Sequence, residues 1–598
     1  MSVRAVLTSR TALWHALAIV IALYGALFRL DAYVGKYGTL QRPAWARFAT
    51  HTIAPLVPPI RPGSIHWTPY TNPYVGGDPI TYIEYGRSMT SFYQPHVREP
   101  VFLAATRAGL WALDDQDAGV SLASAVGSTL AIYATFLVGA AVLSPLTGVV
   151  AAALMATELE MVSWAVDGWR DDTFMATILF SCWAMLRLRA RPSFGNAVLT
   201  GALCGISCLT RITAFTFIFP ALAWIAIDTA ASPRVSRAKA VALAVAIMAL
   251  LVAPYLISCA IATGDPLLAI NYHTAYYRFA EARPIDQPMS AAAYLQGKFV
   301  ERPIAMLDTG LNGLLVRPFV TKWQGFGDWM SGLGAVLRAI SIVGLAALPF
   351  FATGRLLLVA LLGSLAPYMF TWNVGGGNAW RFTMHAYPFF FVAVGVAIEG
   401  TARAVRATVA ERSAVRTHAR SLTWRVAAVA TAAAIGALTY AELPWYVIRE
   451  SIAHGDATSV ETGERDRIFF RNGWSAPHFE NITVRVSRAE RAVVRLPLPE
   501  RRAYDLVLRL DPITPSSPES VDVLFNRHLV GRFQLGWNPE RVGSYRLRLR
   551  EDVVNAGSNE IVIIPASLTP AGSAGPRYAW LNPDDRLGVR LWYVRVLP

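Results

Sequence analysis

The chain has 598 residues, of which 54% are hydrophobic and only 16% charged, and its formal net charge is +14. That composition is too apolar for a soluble protein whose loops and surface face water. The basic excess falls largely on arginines in short loops beside anionic lipid, so no nucleic-acid partner is needed to explain it.

In chain order, apolar stretches near the length of a hydrocarbon core are predicted at about 12–30, 118–141, 146–165, 172–187, 195–210, 212–228, 239–262, 333–351, 356–371, 382–400 and 425–443, roughly eleven spans. Arg4 and Arg10 precede the first; Arg187, Arg189 and Arg191 follow the fourth; Arg234, Arg237 and Lys239 separate the sixth from the seventh. Arg403, Arg406, Arg412, Arg416, Arg420 and Arg425 lead into the last. All fall on one side if the N-terminus is cytoplasmic, which is where basic loops are retained. Parity then places about 31–117, 263–332 and everything after about 444 outside the cytoplasmic (inner) membrane. The expected organisation is a transmembrane domain over 1–443 and an extracytoplasmic domain over 444–598.

The first apolar run lacks a clear small-residue cleavage site and reads as a retained helix. Residues 401–424 read as a basic helix on the inner surface. Cys182, Cys204, Cys208 and Cys259 all fall in apolar spans, so the exported segments have no disulfide framework, and no metal-binding motif is present. After residue 460 the pattern changes to short period-two runs such as "YDLVLRLD" and "GVRLWYVRVL", separated by Pro, Gly, Asn and Asp. These predict an antiparallel β-sandwich. Trp537, Trp580 and Trp592 are either core residues of that sandwich, the favoured reading, or exposed platforms.

Charged groups near membrane depth cost roughly 2.5–3.5 kcal/mol each on insertion scales, so those at span ends call for a reason. Five clusters share the outer side. The first is "GDPITYIEYGRSM", with Asp78 as expected N-cap, Pro79 at the first helical position, and Tyr82, Glu84 and Arg87 following. The second, "HVREPVFLAATRAGLWAL", opens an apolar surface helix with Arg98 and Glu99. The third, "DGWRDDTFMATILF", places Asp167, Arg170, Asp171 and Asp172 at the mouth of the fourth span. Arg211 in "LTRITAF" and Arg381 with His385 in "GNAWRFTMHAYPFF" complete the set. Singly, arginines snorkel and acids cap helices. Together they suggest one cavity holding an anion beside a carboxylate, which suits transfer from a lipid-linked phosphate. Arginine clamps phosphate oxygens bidentately, and the choice of Arg at 98, 211 and 381 fits that demand.

These motifs resemble those of GT-C fold glycosyltransferases, the group that includes protein O-mannosyltransferases and lipid A aminoarabinose transferases. Asp78, Tyr82 and Arg87 match the first-loop pattern, with Pro79 replacing the polar residue usual after the Asp. "REPVFLAATRAGLWAL" resembles the R-x-P segment, and "WRDDTFMATILF" and "GISCLTRITAFTFIFPAL" resemble the fourth to sixth spans. The resemblance covers about 12–230 and, less closely, "NAWRFTMHAYPFF". It implies Asp78 as the catalytic residue, acting as base or orienting the acceptor, with Arg98 and Arg211 at the donor phosphate and Tyr82 and Glu99 lining the donor pocket; Arg381 is expected at the same phosphate, and Arg87 and Asp171 about the donor and acceptor pocket. Where aminoarabinose transferases have Lys before the proline this chain has Glu99, which moves the phosphate contact to Arg98. In "GDPLLAINYHTAYYRFAEARPIDQP", His273, Tyr276 and Tyr277 either meet a sugar or form an interfacial belt.

The implied partners are a polyprenyl-phosphate-linked sugar donor, an extracytoplasmic acceptor and membrane lipid. No cofactor is assigned, and divalent-metal dependence is left open. Two other classes compete. A transporter or flippase of lipid-linked sugars would show paired half-structures and midplane acids, whereas the halves here look dissimilar. A non-catalytic glycan-binding scaffold would tolerate loss of Asp78.

Overall fold

The computed structural model describes residues 10–37, 77–228, 234–280, 289–316, 333–369, 379–410, 436, 438–463, 465–479, 483–514, 520–536 and 543–597. The chain divides into a first unit of residues 1–295 and 309–420 and a second of 296–308 and 421–598. The first is helical: α1 (Arg10–Tyr37), α2 (Asp78–Ser88), α3 (Pro100–Ala112), α4 (Ala118–Val142), α5 (Pro145–Thr157), α6 (Leu159–Trp164), α7 (Arg170–Ala190), α8 (Phe194–Thr210), α9 (Phe215–Ile227), α10 (Arg234–Thr263) and α11 (Leu268–Ala280). α14 (Leu333–Ala347), α15 (Ala352–Met369) and α16 (Tyr387–Ala410) complete it, while α12 (Ala291–Glu301) and α13 (Pro303–Leu311) fall largely in the 296–308 segment of the second unit. Five helical stretches among the described residues are long and apolar enough to cross a membrane: Thr11–Tyr33, Ala118–Val142, Val235–Thr263, Ala352–Met369 and Thr383–Arg403. The chain is a multi-pass membrane protein.

Local chemistry sets the boundaries. Ser144 accepts the Thr147 N–H at 3.3 Å and starts α5 with Pro145 next, and Ser193 does the same for α8 through Asn196. The expected span 146–165 is interrupted: α5 ends at its C-cap Glu158, whose backbone is extended, and the short α6 follows. α4 packs against α1, α3, α5 and α7. It approaches α3 through two glycines, since a Cβ on Gly119 would lie 2.5 Å from the Leu110 backbone nitrogen. The core of the unit runs through Ile132 and Phe136 of α4, Phe174 and Ile178 of α7, Phe217 of α9 and Phe389 to Phe391 of α16. The four cysteines are buried and reduced. Residues 425–435 of the expected last span, and 411–424 of the expected basic surface helix, lie outside the described residues.

The second unit opens with a helix over 438–453 and continues as two antiparallel sheets. Glu450 accepts the backbone N–H groups of Ile304 and Ala305, and Arg465 pairs with Asp308 at 2.6 Å, which ties 296–308 into this unit. One sheet has the order β2 (His478–Phe479), β3 (Thr483–Val486), β12 (Val589–Leu597), β5 (Tyr504–Pro512), β8 (Gly543–Leu549), with β1 (Thr458–Glu461) also on β12. The other has the order β4 (Ala492–Leu498), β9 (Gly557–Pro565), β6 (Ser520–Phe525), β7 (His528–Gln534). A two-stranded ribbon pairs β10 (Thr569–Pro570) with β11 (Arg586–Leu587). Leu506, Leu508 and Leu510 from one sheet and Val494, Val523 and Ile561 from the other share one core, so the expected sandwich is present. Trp592 is buried and Trp580 half-buried in a smaller cluster, while Trp537 lies outside the described residues.

Candidate active site

The first motif folds as a helix, but its start differs from the expectation. Gly77, at φ 73°, is the N-cap, and Asp78 is the first helical residue instead of the cap. A side chain at position 77 would be strained by that φ, and its Cβ would lie 3.1 Å from the Trp169 ring. The Asp78 carboxylate instead reaches Arg98 at 3.5 Å. One turn on, Tyr82 is buried edge-on against Phe102, centroids 5.2 Å apart, with the Arg98 guanidinium 5.6 Å above its ring. Burial pushes the Tyr82 hydroxyl above its ordinary range, so it stays protonated and supplies no base. Arg87 points elsewhere, pairing with Asp115 and Asp117 at 2.9 Å each on the exposed side. It pins α2 to the loop after α3 and does not join the pocket.

Arg98 precedes α3 in a short turn where its own N–H donates to His96 Nδ1 at 3.0 Å, and Tyr255 of α10 holds that turn through a 2.7 Å bond to the His96 carbonyl. Its Nη1 donates to Nε2 of His273, on α11, at 2.9 Å. Arg170 Nη2 meets the same Nε2 at 3.4 Å, so the imidazole accepts from two guanidinium groups, which requires its neutral form with the proton on Nδ1.

Glu99, expected in the donor pocket, is instead an internal tie. It is 2% exposed, one oxygen takes Arg170 Nη1 and the other takes the Ile212 N–H at 2.8 Å. Arg211, the residue ending α8 in extended backbone, donates to Asp171 at 2.8 Å, with Phe174 and Tyr368 rings each 5.4 Å from its guanidinium. Arg98 and Arg211 therefore belong to one connected set, running from Arg98 through His273, Arg170 and Glu99 to the turn at Ile212. The Arg381 side chain lies outside the described residues, as does that of Tyr276; Tyr277 is half-buried on α11. His385 is buried against Ser364 at 3.1 Å, between the rings of Phe174 and Tyr368.

Three cations, Arg98, Arg170 and Arg211, thus face three carboxylates, Asp78, Glu99 and Asp171. The last two pairs are buried and close, an arrangement whose desolvation cost its own attraction barely offsets. The first is longer and more open, with Asp78 37% exposed. Arg98 is the cation of the three held most loosely by its acid, and the one an added anion recruits at least cost. Sequence reasoning noted Arg170 only as a neighbour, and it missed His96, Tyr255 and Tyr368; nothing local distinguishes these residues from ordinary interfacial ones until the helices bring them together.

Residues 97–257 match the family model described as dolichyl-phosphate-mannose-protein mannosyltransferase. Arg98, Glu99, Arg170, Asp171 and Arg211 fall within the match; Asp78 and His273 lie outside it. Among solved structures, the chain is similar to the oligosaccharyltransferase AglB from Archaeoglobus fulgidus in complex with an inhibitory peptide and a dolichol-phosphate, at 14% identity over 70% of this chain and 54% of that one, TM-score 0.38. ArnT from Cupriavidus metallidurans bound to undecaprenyl phosphate aligns at 14% identity over 74% and 70%, TM-score 0.40. The arabinosyltransferase EmbB from Mycobacterium smegmatis aligns at 11% over 98% and 64%, TM-score 0.24. The chain spans about half the length of the archaeal oligosaccharyltransferase. No curated protein matches it. The family match spans α3 to α9 and most of α10. It agrees with the motifs in placing the chain's resemblance among GT-C polyprenyl-phosphate-dependent glycosyltransferases.

Proposed function

We propose that the protein transfers a sugar from a polyprenyl-phosphate donor to a glycan, lipid or protein acceptor on the outer face of the cytoplasmic membrane. The observation that supports this best is the contact of Asp78 with Arg98, 3.5 Å apart, where a partly exposed carboxylate stands beside the most loosely paired arginine of the cluster. In this reading Asp78 removes the proton of the acceptor hydroxyl or amine as that atom bonds to the anomeric carbon. The bond from that carbon to the phosphate oxygen breaks, and its electron pair leaves on the polyprenyl phosphate. Arg98 turns from Asp78 to the phosphate, giving charge-assisted bonds that strengthen as the leaving oxygen gains charge. His273 supports the guanidinium from its other edge. The pairs Arg170–Glu99 and Arg211–Asp171 hold α3, α7 and the turn after α8 in register beneath the site. The outward orientation rests on the cytoplasmic arginine loops, with the N-terminus inside and the β-sandwich outside.

The test is donor consumption by purified variants. Asp78→Asn keeps the shape of the first turn but takes no proton, and is expected to fold normally and lose transfer. Arg98→Ala is expected to lose one charge-assisted contact, about 1.5–3 kcal/mol of transition-state stabilisation, with Arg98→Lys recovering part. Turnover of Asp78→Asn near that of the parent protein removes the base assignment. Full activity of Arg98→Lys makes Arg98 an anchor at the interface.

A further inference from the structure

We propose that the outer face of the six-stranded sheet carries a binding site for an acidic glycan, centred on Arg509 and separate in its residues from the candidate active site. β5 alternates, with Tyr504, Leu506, Leu508 and Leu510 buried in the sandwich and Asp505, Val507 and Arg509 on the other face. Its partner β12 slips register between Leu591 and Tyr593, so Trp592 is an inserted residue. On a regular strand Trp592 and Tyr593 would face opposite sides. The bulge brings both to Arg509, whose guanidinium carbon lies 5.9 Å from the Trp592 ring and 5.7 Å from the Tyr593 ring.

The indole is fixed by its Nε1–H, which donates to Asp511 at 3.0 Å, and Asp511 also meets Arg590 at 3.6 Å, so the next acid along the face is committed. Among the described residues no carboxylate pairs with Arg509, and its Nε is buried without a hydrogen-bond partner. A guanidinium stacked on aromatic faces presents only its edge, a planar fork that matches a carboxylate or phosphate.

The surroundings have the matching charge. Arg595 is exposed with its guanidinium 5.3 Å from the Tyr593 ring, and Arg546 and Arg548 share the single carboxylate of Asp505 at 2.6 and 3.1 Å. Glu461 stands opposite Tyr593 in register, so with the Arg590–Asp511 pair included this face carries five arginines against three acids. An aromatic ring beside an arginine edge suits a sugar that stacks on Tyr593 and presents its acid to Arg509. Insertion into a lipid surface would require exposed apolar side chains, and purely electrostatic attachment to anionic lipid is what the vesicles below distinguish. Beyond residue 451 the one large exposed hydrophobic among the described residues is Leu529, on β7 of the other sheet.

The experiment titrates the full chain in neutral-lipid nanodiscs with oligogalacturonate, with neutral maltotriose, and with vesicles containing phosphatidylglycerol, reading tryptophan fluorescence and calorimetric heat. Oligogalacturonate is expected to bind and maltotriose not to; Arg509→Ala should weaken binding by about tenfold or more and Arg509→Lys should retain part of it. Arg595→Gln should weaken it less, and Arg532→Ala, a surface arginine of the other sheet, should leave it unchanged. If Arg509→Ala does not fold, Arg509→Lys and Arg595→Gln carry the comparison. Absence of oligogalacturonate binding, equal binding by these variants, or Arg509-dependent binding to the vesicles alone overturns the proposal. The readout is binding, so the result stands apart from whether the helical unit transfers sugar.

Discussion

Glu99 is where residue chemistry and functional reading separate most clearly. As a resident of the donor pocket it would tolerate truncation structurally and lose only activity. As the buried partner of both Arg170 and the Ile212 N–H, its removal strands a guanidinium at 3% side-chain exposure. Glu99→Ala is therefore expected to cost about 3–5 kcal/mol, read as a large drop in unfolding temperature in detergent; unchanged stability would return Glu99 to the pocket. His96 gives a pH signature. Its imidazole is held below the ordinary value, chiefly by burial and then by the charge of Arg98, and its Nδ1 accepts the Arg98 N–H only when unprotonated. The folded state thus binds the proton less readily than the unfolded chain. Stability from this group is complete above about pH 6.5 and is lost as pH falls through the depressed folded value. The fall in unfolding temperature below pH 6.5 should be smaller in His96→Asn, and an identical pH profile would contradict the assignment. Taken singly Arg98 and Asp78 each had a bland explanation, and only their shared side of the membrane pointed to a common cavity; the structure brings the two side chains within 3.5 Å. The roles of Glu99 and Arg87 were not legible, because each depends on a partner from a distant segment, Arg170 in one instance and Asp115 in the other.

Elements were read more reliably than contacts. The spans 195–210 and 239–262 fall within or on α8 and α10 because apolar length alone defines them, whereas the expected span 146–165 ran across Glu158 and Glu160, where the structure ends α5 and starts α6. The β-strands were legible from alternation, but the bulge at Trp592 was not, since it is defined by register against β5. The hairpin between β6 and β7 offers a test at this scale. Its two turn residues, Asn526 and Arg527, have φ of 47° and 72°, the left-handed pair that a two-residue turn between twisted strands requires. Asn526 suits the position and bonds the Val553 carbonyl at 2.8 Å, but Arg527 has a Cβ that disfavours it. Arg527→Gly is expected to stabilise the sandwich by about 0.5–1 kcal/mol, seen as a raised midpoint of its unfolding transition. A destabilised variant would mean that the arginine side chain holds the turn through contacts that outweigh its backbone strain.

The whole chain comprises a helical membrane unit, in which paired charges converge beside Asp78, and a β-sandwich, which the proposed orientation places outside. Protease added to intact cells should then cleave the sandwich while the arginine-rich segment 401–424 stays protected; cleavage of the sandwich only after lysis would reverse the orientation. The central claim, that the chain transfers sugar from a polyprenyl phosphate, is tested most directly by incubating the purified protein with a panel of radiolabelled polyprenyl-phosphate sugars and a membrane extract as acceptor source. The account predicts that one donor is consumed with label appearing in an acceptor, and that Asp78→Asn, equally folded, transfers none. Label carried across a sealed bilayer without a new glycosidic bond, or consumption that survives in Asp78→Asn, would contradict it.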